Sequence, residues 1–148
     1  MKYGQIRNIK GLQDFQKKVQ QMDAGSEEFL EGCVKELAAR LLAKVVKRTP
    51  VGQYPPSSGK TGGTLRRGWT GGVSPAEYAQ SIDIAHVGHT YTVKIINPVE
   101  YAAYVEYGHR TANHKGWVPG QFMMTISEDE LAAITPQVLE ARLRKYMK

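Results

Sequence analysis

The chain has 148 residues, a net charge of +6, and ordinary fractions of hydrophobic (41%) and charged (23%) side chains. These values fit one globular domain spanning 1–148, with a sizeable core. The sequence contains neither the ~20-residue apolar run of a membrane-spanning helix nor the apolar stretch of a signal peptide. We therefore expect no membrane contact, and we expect synthesis in the cytoplasm.

The positive charge is concentrated in one segment. Residues 37–76 carry seven basic groups and no acidic one, whereas the flanking segments are close to neutral. A segment without counter-charges of its own favours an acidic protein surface or a phosphate backbone as its partner.

The N-terminal quarter predicts an irregular arm or short edge strand over 1–10, then a short amphipathic helix over 12–22. A long helix is predicted over 26–48, with Ser26 as N-cap and Thr49-Pro50 as its end. Cys33 lies on the apolar stripe of that helix, which predicts a buried structural thiol rather than a nucleophile.

A glycine- and proline-rich stretch follows, and we expect a flexible loop over 50–68. Its part 51–64 has too few apolar side chains to offset its ordering entropy, so we expect it to order only on assembly. Leu65 and Trp69 are exceptions and predict a packed strand over 69–73.

Alternating apolar residues over 82–84 and 91–95, separated by Gly88-His89, predict a β-hairpin. With the strand over 69–73 this gives an antiparallel sheet of at least three strands, covered on one face by the helix over 26–48. The predicted class is α+β, with short helices at both ends.

Asn97-Pro98 interrupts the last strand and introduces a short helix that carries a tyrosine every third residue and ends at Gly108 as a left-handed C-cap. After a polar loop over 112–116, Ser127 with Glu130 has capping-box spacing, and Thr135-Pro136 offers a second helix start. Both lie in a predicted helical extension over 127–148.

Several patterns resemble chemical sites but lack essential parts, so no catalytic, cofactor-binding or metal site is predicted. His86 with His89, and His109 with His114, have no further ligands at zinc-site spacing. Gly59-Lys60-Thr61 lacks the upstream glycine and strand of a phosphate loop. Glu100 and Glu106 fall on different faces of one short helix, which favours solvated or interface carboxylates over a catalytic pair.

Two ordered blocks carry a family resemblance. The first runs from Thr49 to Trp69 and the second from Tyr101 to Thr111. Together they resemble the phage tail-completion, or head–tail joining, proteins over about positions 26–124. The resemblance implies a non-enzymatic virion protein of the neck, assembled in the bacterial cytoplasm as a homo-oligomeric ring, most simply a hexamer. Its implied partners are the connector or head-completion protein and the tail terminator or tail tube, with DNA at most passing through the lumen.

The family pattern carries over to both blocks and to a short motif after them. The matching positions are Thr49, Pro50, Gly62, Leu65, Arg66, Tyr101, Tyr104, Val105, Glu106, Gly108 and Trp117-Val118-Pro119. The chain departs from the pattern by an insertion over 53–59 and by the extension after Met124.

We predict that the ring is held by two complementary surfaces, because a head-to-tail contact requires two different patches on each subunit. One would comprise Arg66, Arg67 and Trp69. The other would comprise Glu100, Tyr104, Glu106 and Tyr107, so that Arg66 or Arg67 meets a carboxylate of a neighbour. His109, Arg110 and Trp117 are further predicted interface residues. The alternatives are a solvated turn with a core tryptophan for the first set, and tyrosines that cover the sheet for the second.

A nucleic-acid-binding protein that uses the basic segment is the alternative function. The stretch from Gly108 to His114 superficially resembles a histidine–asparagine–histidine nuclease, so weak nuclease activity belongs to that alternative. Binding through neutralised phosphates would weaken steeply with salt, which distinguishes the two hypotheses.

Overall fold

The computed structural model describes residues 2–6, 26–51, 56–58, 62–87 and 90–147. The elements, in chain order, are β1 (Lys2–Ile6), α1 (Ser26–Arg48), a 3₁₀ turn (Pro56–Ser58), α2 (Thr64–Gly68), α3 (Pro75–Gln80), β2 (Ile84–Val87), β3 (Thr90–Asn97), α4 (Ala102–Tyr107), β4 (Gly108–Arg110), β5 (Trp117–Pro119) and α5 (Met123–Tyr146). This is the α+β class that the sequence predicts.

The main sheet has three antiparallel strands in the order β1-β3-β2. Lys2 pairs with Asn97 at one end of the β1–β3 ladder, and Ile84 pairs with Val93 in the β2–β3 ladder. Alternate residues of β3 point into the core, as a strand covered on one face requires. The hairpin prediction is therefore confirmed, although its turn at 88–89 lies outside the described residues.

Two long antiparallel helices, α1 and α5, supply most of the core. Glu36 of α1 is bonded to Arg142 of α5, and Arg48 near the end of α1 is bonded to Glu130 near the start of α5. The bounds of α1 match those predicted. Its stripe, including the fully buried Cys33, packs against apolar residues of α3, β3 and α5.

The predicted strand over 69–73 is wrong. The chain forms α2 from Thr64 to Gly68 and then a turn, and the third strand of the sheet is β1 instead. The expected loop over 50–68 is correspondingly shorter at its far end. Glycines 71 and 72 adopt positive φ angles of 66° and 92°, which suit a turn and not a strand.

The C-terminal helix begins earlier than predicted and is not divided. Ser127 and Thr135 lie inside α5, where their hydroxyls donate to the carbonyls of Met123 (2.6 Å) and Leu131 (2.7 Å). Neither is an N-cap, and Pro136 is accommodated within the helix. Inside a helix, the hydroxyl of Ser or Thr commonly donates to a carbonyl of the preceding turn instead of capping the helix.

Some expectations fall outside the described residues, namely the amphipathic helix over 12–22 and the parts 52–55 and 59–61 of the segment 51–64. Within the part that is described, no helix is long and apolar enough to cross a membrane.

Candidate interaction surface

Thr49, Arg66 and Trp69 form a hydrogen-bonded cluster at the C-terminal end of α1, which we call the knot. All three belong to the first block of the resemblance. Thr49 is fully buried; its hydroxyl donates to the Val45 carbonyl (2.6 Å) and accepts from the indole N–H of Trp69 (2.8 Å). The guanidinium of Arg66 donates twice to the Thr49 carbonyl, over 3.1 and 2.7 Å. These bonds satisfy backbone groups that a helix leaves unpaired at its end.

The same region is tied to the end of β3. The Asn97 side chain is fully buried and donates to the Leu65 carbonyl over 2.7 Å. A Cβ on Gly68 would collide with the Asn97 side-chain oxygen, so a glycine allows this close approach of α2 and β3. Residues of the first block therefore hold α1, α2 and β3 together.

The basic segment finds counter-charges that its own sequence does not contain. Arg40 pairs with Glu36 (3.0 Å), and both Lys44 (3.6 Å) and Arg48 (2.6 Å) pair with Glu130 of α5. The bond from Arg48 is the main cause that lowers the pKa of the Glu130 carboxyl. At Arg40, Lys44 and Arg48, the basic segment therefore does not require an acidic partner from outside the chain.

Glu106 is a buried cap and not the solvated carboxylate that the sequence suggested. It is 0% exposed, and its two carboxylate oxygens accept from the backbone N–H of Met124 (2.8 Å) and Thr125 (3.0 Å). The Thr125 hydroxyl adds a third bond of 2.8 Å. A carboxylate at the N-terminus of a helix also meets the positive end of the helix dipole. Glu106 thereby fixes α4 to the start of α5.

Around α4 and the β4–β5 ribbon, large apolar side chains remain exposed. We call them the aromatic surface; its members and their exposed fractions are Tyr101 (43%), Tyr104 (60%), Tyr107 (50%), Trp117 (60%), Val118 (40%) and Phe122 (41%). Exposed apolar side chains that lie together, rather than singly, mark interaction sites on soluble proteins.

Short-range contacts and the β4–β5 register place these side chains around the ribbon: Tyr104, His109 and Val118 share one of its faces, and Arg110 and Trp117 share the other. The rings of Tyr104 and His109 lie 5.4 Å apart, and His109 is the cross-strand partner of Val118. Arg110 pairs in the same way with Trp117. The buried Nδ1 of His109 has no hydrogen-bond partner among the described residues.

Gly108 makes the turn from α4 into the ribbon possible. The helix ends at this glycine as predicted, but the predicted left-handed C-cap is wrong: φ is 88° and ψ is 174°, an extended conformation that begins β4. A Cβ at this position would lie 2.5 Å from the Val118 carbonyl oxygen and 2.9 Å from the indole nitrogen of Trp117. The glycine thus lets the ribbon fold closely against itself.

Phe122 has an unfavourable backbone conformation. Its φ of 49° and ψ of 44° lie in the left-handed region, which a bulky residue seldom adopts. Its ring meets Tyr107 edge to face at 6.5 Å and remains 41% exposed. Strain at an exposed aromatic residue is a feature of functional sites. No pattern in the sequence indicated this position.

The histidine pairs do not assemble a metal site within the described residues, which hold no group of three or more suitable ligands. His86 stacks on Tyr91 at 4.0 Å and lies 3.6 Å from a carboxylate oxygen of Glu27. His89 lies outside the described residues.

Cys33 is fully buried, as predicted, beside Arg142 and Glu36. Burial raises the pKa of its thiol to about 11, against smaller lowering contributions from Arg142. The thiolate that nucleophilic chemistry requires is therefore disfavoured at neutral pH.

The match to a known family decides the identity of the chain. The family described as "Bacteriophage HK97-gp10, putative tail-component" matches residues 13–108, which include the knot, β2, β3 and α4. The chain belongs to the HK97-gp10-like family. No curated protein and no solved structure matches it.

Membership in the HK97-gp10-like family makes the chain a tail-related structural component of a phage virion. The matched region ends at Gly108, so β5 and α5 lie beyond it. The family resemblance predicted from the sequence is confirmed, and the role of Trp117 at an interface remains a prediction.

The structure divides the predicted interface residues into two classes. Trp69 and Glu106 are buried, and Arg66 is bonded to backbone carbonyls of its own chain. Arg67 is exposed and donates to the Gly62 carbonyl over 3.2 Å. The remaining predicted residues lie at or beside the aromatic surface, and they are Glu100, Tyr104, Tyr107, His109, Arg110 and Trp117.

Proposed function

We propose that this HK97-gp10-like chain is a tail-completion protein of the phage neck. It forms a homo-oligomeric ring, a hexamer, that joins the tail tube or tail terminator to the connector or head-completion protein. DNA passes at most through the lumen, and assembly takes place in the host cytoplasm.

The observation that carries this proposal is the aromatic surface. Tyrosine and tryptophan are enriched at protein interfaces and contribute large binding energies once covered. In a structural tail component, such a surface is best explained as a contact with another virion subunit. The buried knot and the Glu106 cap stabilise the elements that carry the aromatic surface, because they hold α4 and the ribbon in one orientation.

The nucleic-acid alternative has weaker support. Lys44 and Arg48 are paired with Glu130, and Arg66 is bonded to carbonyls, so fewer cations remain for a phosphate backbone. A gel-shift at about 50 and about 200 mM salt separates the proposals, because phosphate-mediated binding falls ~10³–10⁵-fold between them. Retardation at low salt alone would favour the alternative.

Particles made without the chain test the proposed function. We expect separate heads and tails by electron microscopy, and joined particles after purified wild-type protein is added. Trp117→Ala should fail to join them. Val73→Ala is the matched control, because Val73 is 45% exposed but lies outside the aromatic surface. Joined particles in the absence of the chain would refute the proposal.

A further inference from the structure

A cleft with a volume of about 610 Å³ lies between α1 and the second half of α5. Phe29 of α1 and Tyr146 of α5 line this cleft and stack on each other, with ring centroids 4.4 Å apart. Val138 and Ala141 extend the apolar wall along α5. A cleft of roughly 300–1,000 Å³ with apolar walls and few polar groups is the usual form of a binding site.

The charged groups that line the cleft are three cations and one acid, namely Arg40, Arg142, Lys145 and Glu36. Both carboxylate oxygens of Glu36 are already in use, since one accepts from Arg40 over 3.0 Å and the other from Arg142 over 2.8 Å. Lys145 is exposed and has no ion-pair partner among the described residues. The cleft therefore has two positive charges in excess.

Two of these cations retain unused hydrogen-bond donors. In Arg40 only Nε is bonded within the described part of the chain, so its two terminal nitrogens can still donate. In Arg142 the buried Nε has no hydrogen-bond partner among the described residues. A guanidinium with free terminal nitrogens and an ammonium beside it are suited to a carboxylate.

The position of Arg142 depends on a glycine inside α1. A Cβ on Gly32 would lie 2.7 Å from Nη2 of Arg142, so only glycine leaves room for the guanidinium there. Glycine destabilises the interior of a helix relative to alanine. Burial opposes the ionisation of Glu36, but the bonds from Arg142 and Arg40 outweigh it and lower the pKa of its carboxyl. The charged wall of the cleft is therefore held in place by α1.

The positive excess belongs to the cleft and not to its surroundings. A second groove shares Arg142 with the cleft and is lined in addition by Glu28, Glu31 and Lys35. Two acids and two cations line that groove, so its charges balance. An acidic ligand is therefore favoured in the cleft and not in the groove beside it.

The cleft and the aromatic surface lie at different ends of the subunit. Phe122 of the aromatic surface is the N-cap of α5, and Tyr146 of the cleft is the last residue of that helix. With 24 residues, α5 is about 36 Å long. Two different proteins can therefore contact the two regions at the same time, as the proposed joining function requires.

We propose that the cleft binds an acidic segment of another virion protein, in which a carboxylate lies beside an apolar side chain. Arg40 and Lys145 would bind the carboxylate, and the wall of Phe29, Val138 and Tyr146 would cover the apolar side chain. A protein segment fits better than a nucleic acid, because a phosphate backbone has no apolar side chain for this wall. The inference rests on the proposed neck function: one neighbour contacts the aromatic surface, and the other contacts the cleft.

Two variants of the full-length chain block the cleft in different ways. Lys145→Glu reverses a charge, and Ala141→Trp fills the space without changing the charge; both residues are exposed. Arg144→Glu is the matched control, because Arg144 is adjacent in sequence and undergoes the same charge change, but pairs with Glu140 and does not line the cleft.

The probes are separate heads and separate tails from particles made without the chain. Co-sedimentation measures the attachment of each labelled variant to heads and to tails in turn. Each cleft variant should lose about tenfold or more of its affinity for one of the two probes and keep the other, while Arg144→Glu keeps both. Trp117→Ala should show the reverse choice of probe. The attachment that each variant retains shows that it is folded.

Several results would overturn the inference and leave the neck function standing. These are wild-type attachment of both cleft variants to both probes, or loss of the same probe by the cleft variants and by Trp117→Ala. A change in the oligomer of the free cleft variants, measured by sedimentation velocity, would make a second copy the occupant. Loss of duplex DNA retardation in these variants alone would make a nucleic acid the occupant. If the wild-type chain attaches to neither heads nor tails, the proposed function itself fails.

Discussion

The two tryptophans of the chain show how differently the first family-like block and the short motif after the second block are used. Trp69 is 1% exposed and Trp117 is 60% exposed. Trp69 has a buried hydroxyl, that of Thr49, to accept its indole N–H, so the whole side chain can enter the core. Trp117 lies in β5, a three-residue strand of a two-stranded ribbon. Such a small sheet offers too few packed neighbours to bury a large ring. The first block builds the fold, whereas the motif around Trp117 lies at the surface.

The largest expected effect is the difference in stability between the alanine variants of Trp69 and Trp117. Trp69→Ala should lower the free energy of unfolding by about 3–5 kcal/mol, because it empties a core position and leaves Thr49 without its donor. Trp117→Ala should change the free energy of unfolding by no more than about 0.5 kcal/mol. Urea denaturation measures both values. Equal losses for the two variants would contradict the division into fold and surface.

The next effect tests a residue that belongs to the fold although it lies in the second block. Glu106→Ala removes the acceptor for the backbone N–H groups of Met124 and Thr125, and should cost about 1–3 kcal/mol. Glu100→Ala is the matched control and should be nearly neutral, because Glu100 is exposed. Hydrogen exchange at Met124 and Thr125 should accelerate in the first variant only. Unchanged exchange there would count against the cap.

A smaller effect is expected in the core of α1. Cys33→Ala should cost about 1–2 kcal/mol, since it removes one buried sulfur and no ion-pair partner. Because its pKa is about 11 and its side chain is 0% exposed, the native thiol should resist a bulky labelling reagent at pH 7. Labelling should follow unfolding by urea. Rapid labelling of the folded protein would show that Cys33 belongs to an accessible site.

The smallest effect has the opposite sign. Phe122→Gly should raise the free energy of unfolding by about 0.5–1 kcal/mol, because glycine adopts the left-handed conformation without strain. The same variant should weaken assembly, since it removes an exposed aromatic side chain. Phe122→Ala keeps the strain and loses the ring, so it should weaken assembly with no gain in stability. A stability loss in the glycine variant would mean that Phe122 serves the fold.

Much of the fold could be predicted from the sequence because its signals are local. The bounds of α1 follow from its apolar stripe and Thr49-Pro50, and β2 and β3 follow from alternation around a two-residue turn. The helix α4 follows from its tyrosine periodicity and from Gly108. In each case the residues that determine the element lie within it or next to it.

The errors in the predicted fold have one physical origin: the elements concerned depend on contacts between residues that are distant in sequence. The start of α5 is capped by Glu106, 18 residues before Met124, and this cap takes the place of the local signal at Ser127. The third strand comes from β1, more than 80 residues before β3, and not from the segment after Trp69. Likewise the charge of Arg48 is balanced by Glu130, 82 residues away.

The candidate site was only partly predictable for the same reason. Aromatic and charged residues indicated the stretch in which the exposed aromatic side chains lie, but residue type alone does not separate Tyr104, which is exposed, from Trp69, which is not. The strained Phe122 carries no local pattern at all. Which side chains remain uncovered is decided by tertiary packing.

The pairing of β1 with β3 has a consequence for the order of events during synthesis. Ile6 pairs with Val93 and Lys2 with Asn97, so the residues of β1 are made 87 (93 − 6) to 95 (97 − 2) residues before their hydrogen-bonding partners. At translation rates of about 5–20 residues per second, the strand waits roughly 5–20 s with its backbone unpaired. The contacts between α1 and α5 join residues at similar separations, 82 for Arg48 with Glu130 and 106 for Glu36 with Arg142. A nascent chain of this design offers chaperones a long interval in which to bind, because the sheet closes only after Asn97 has been made.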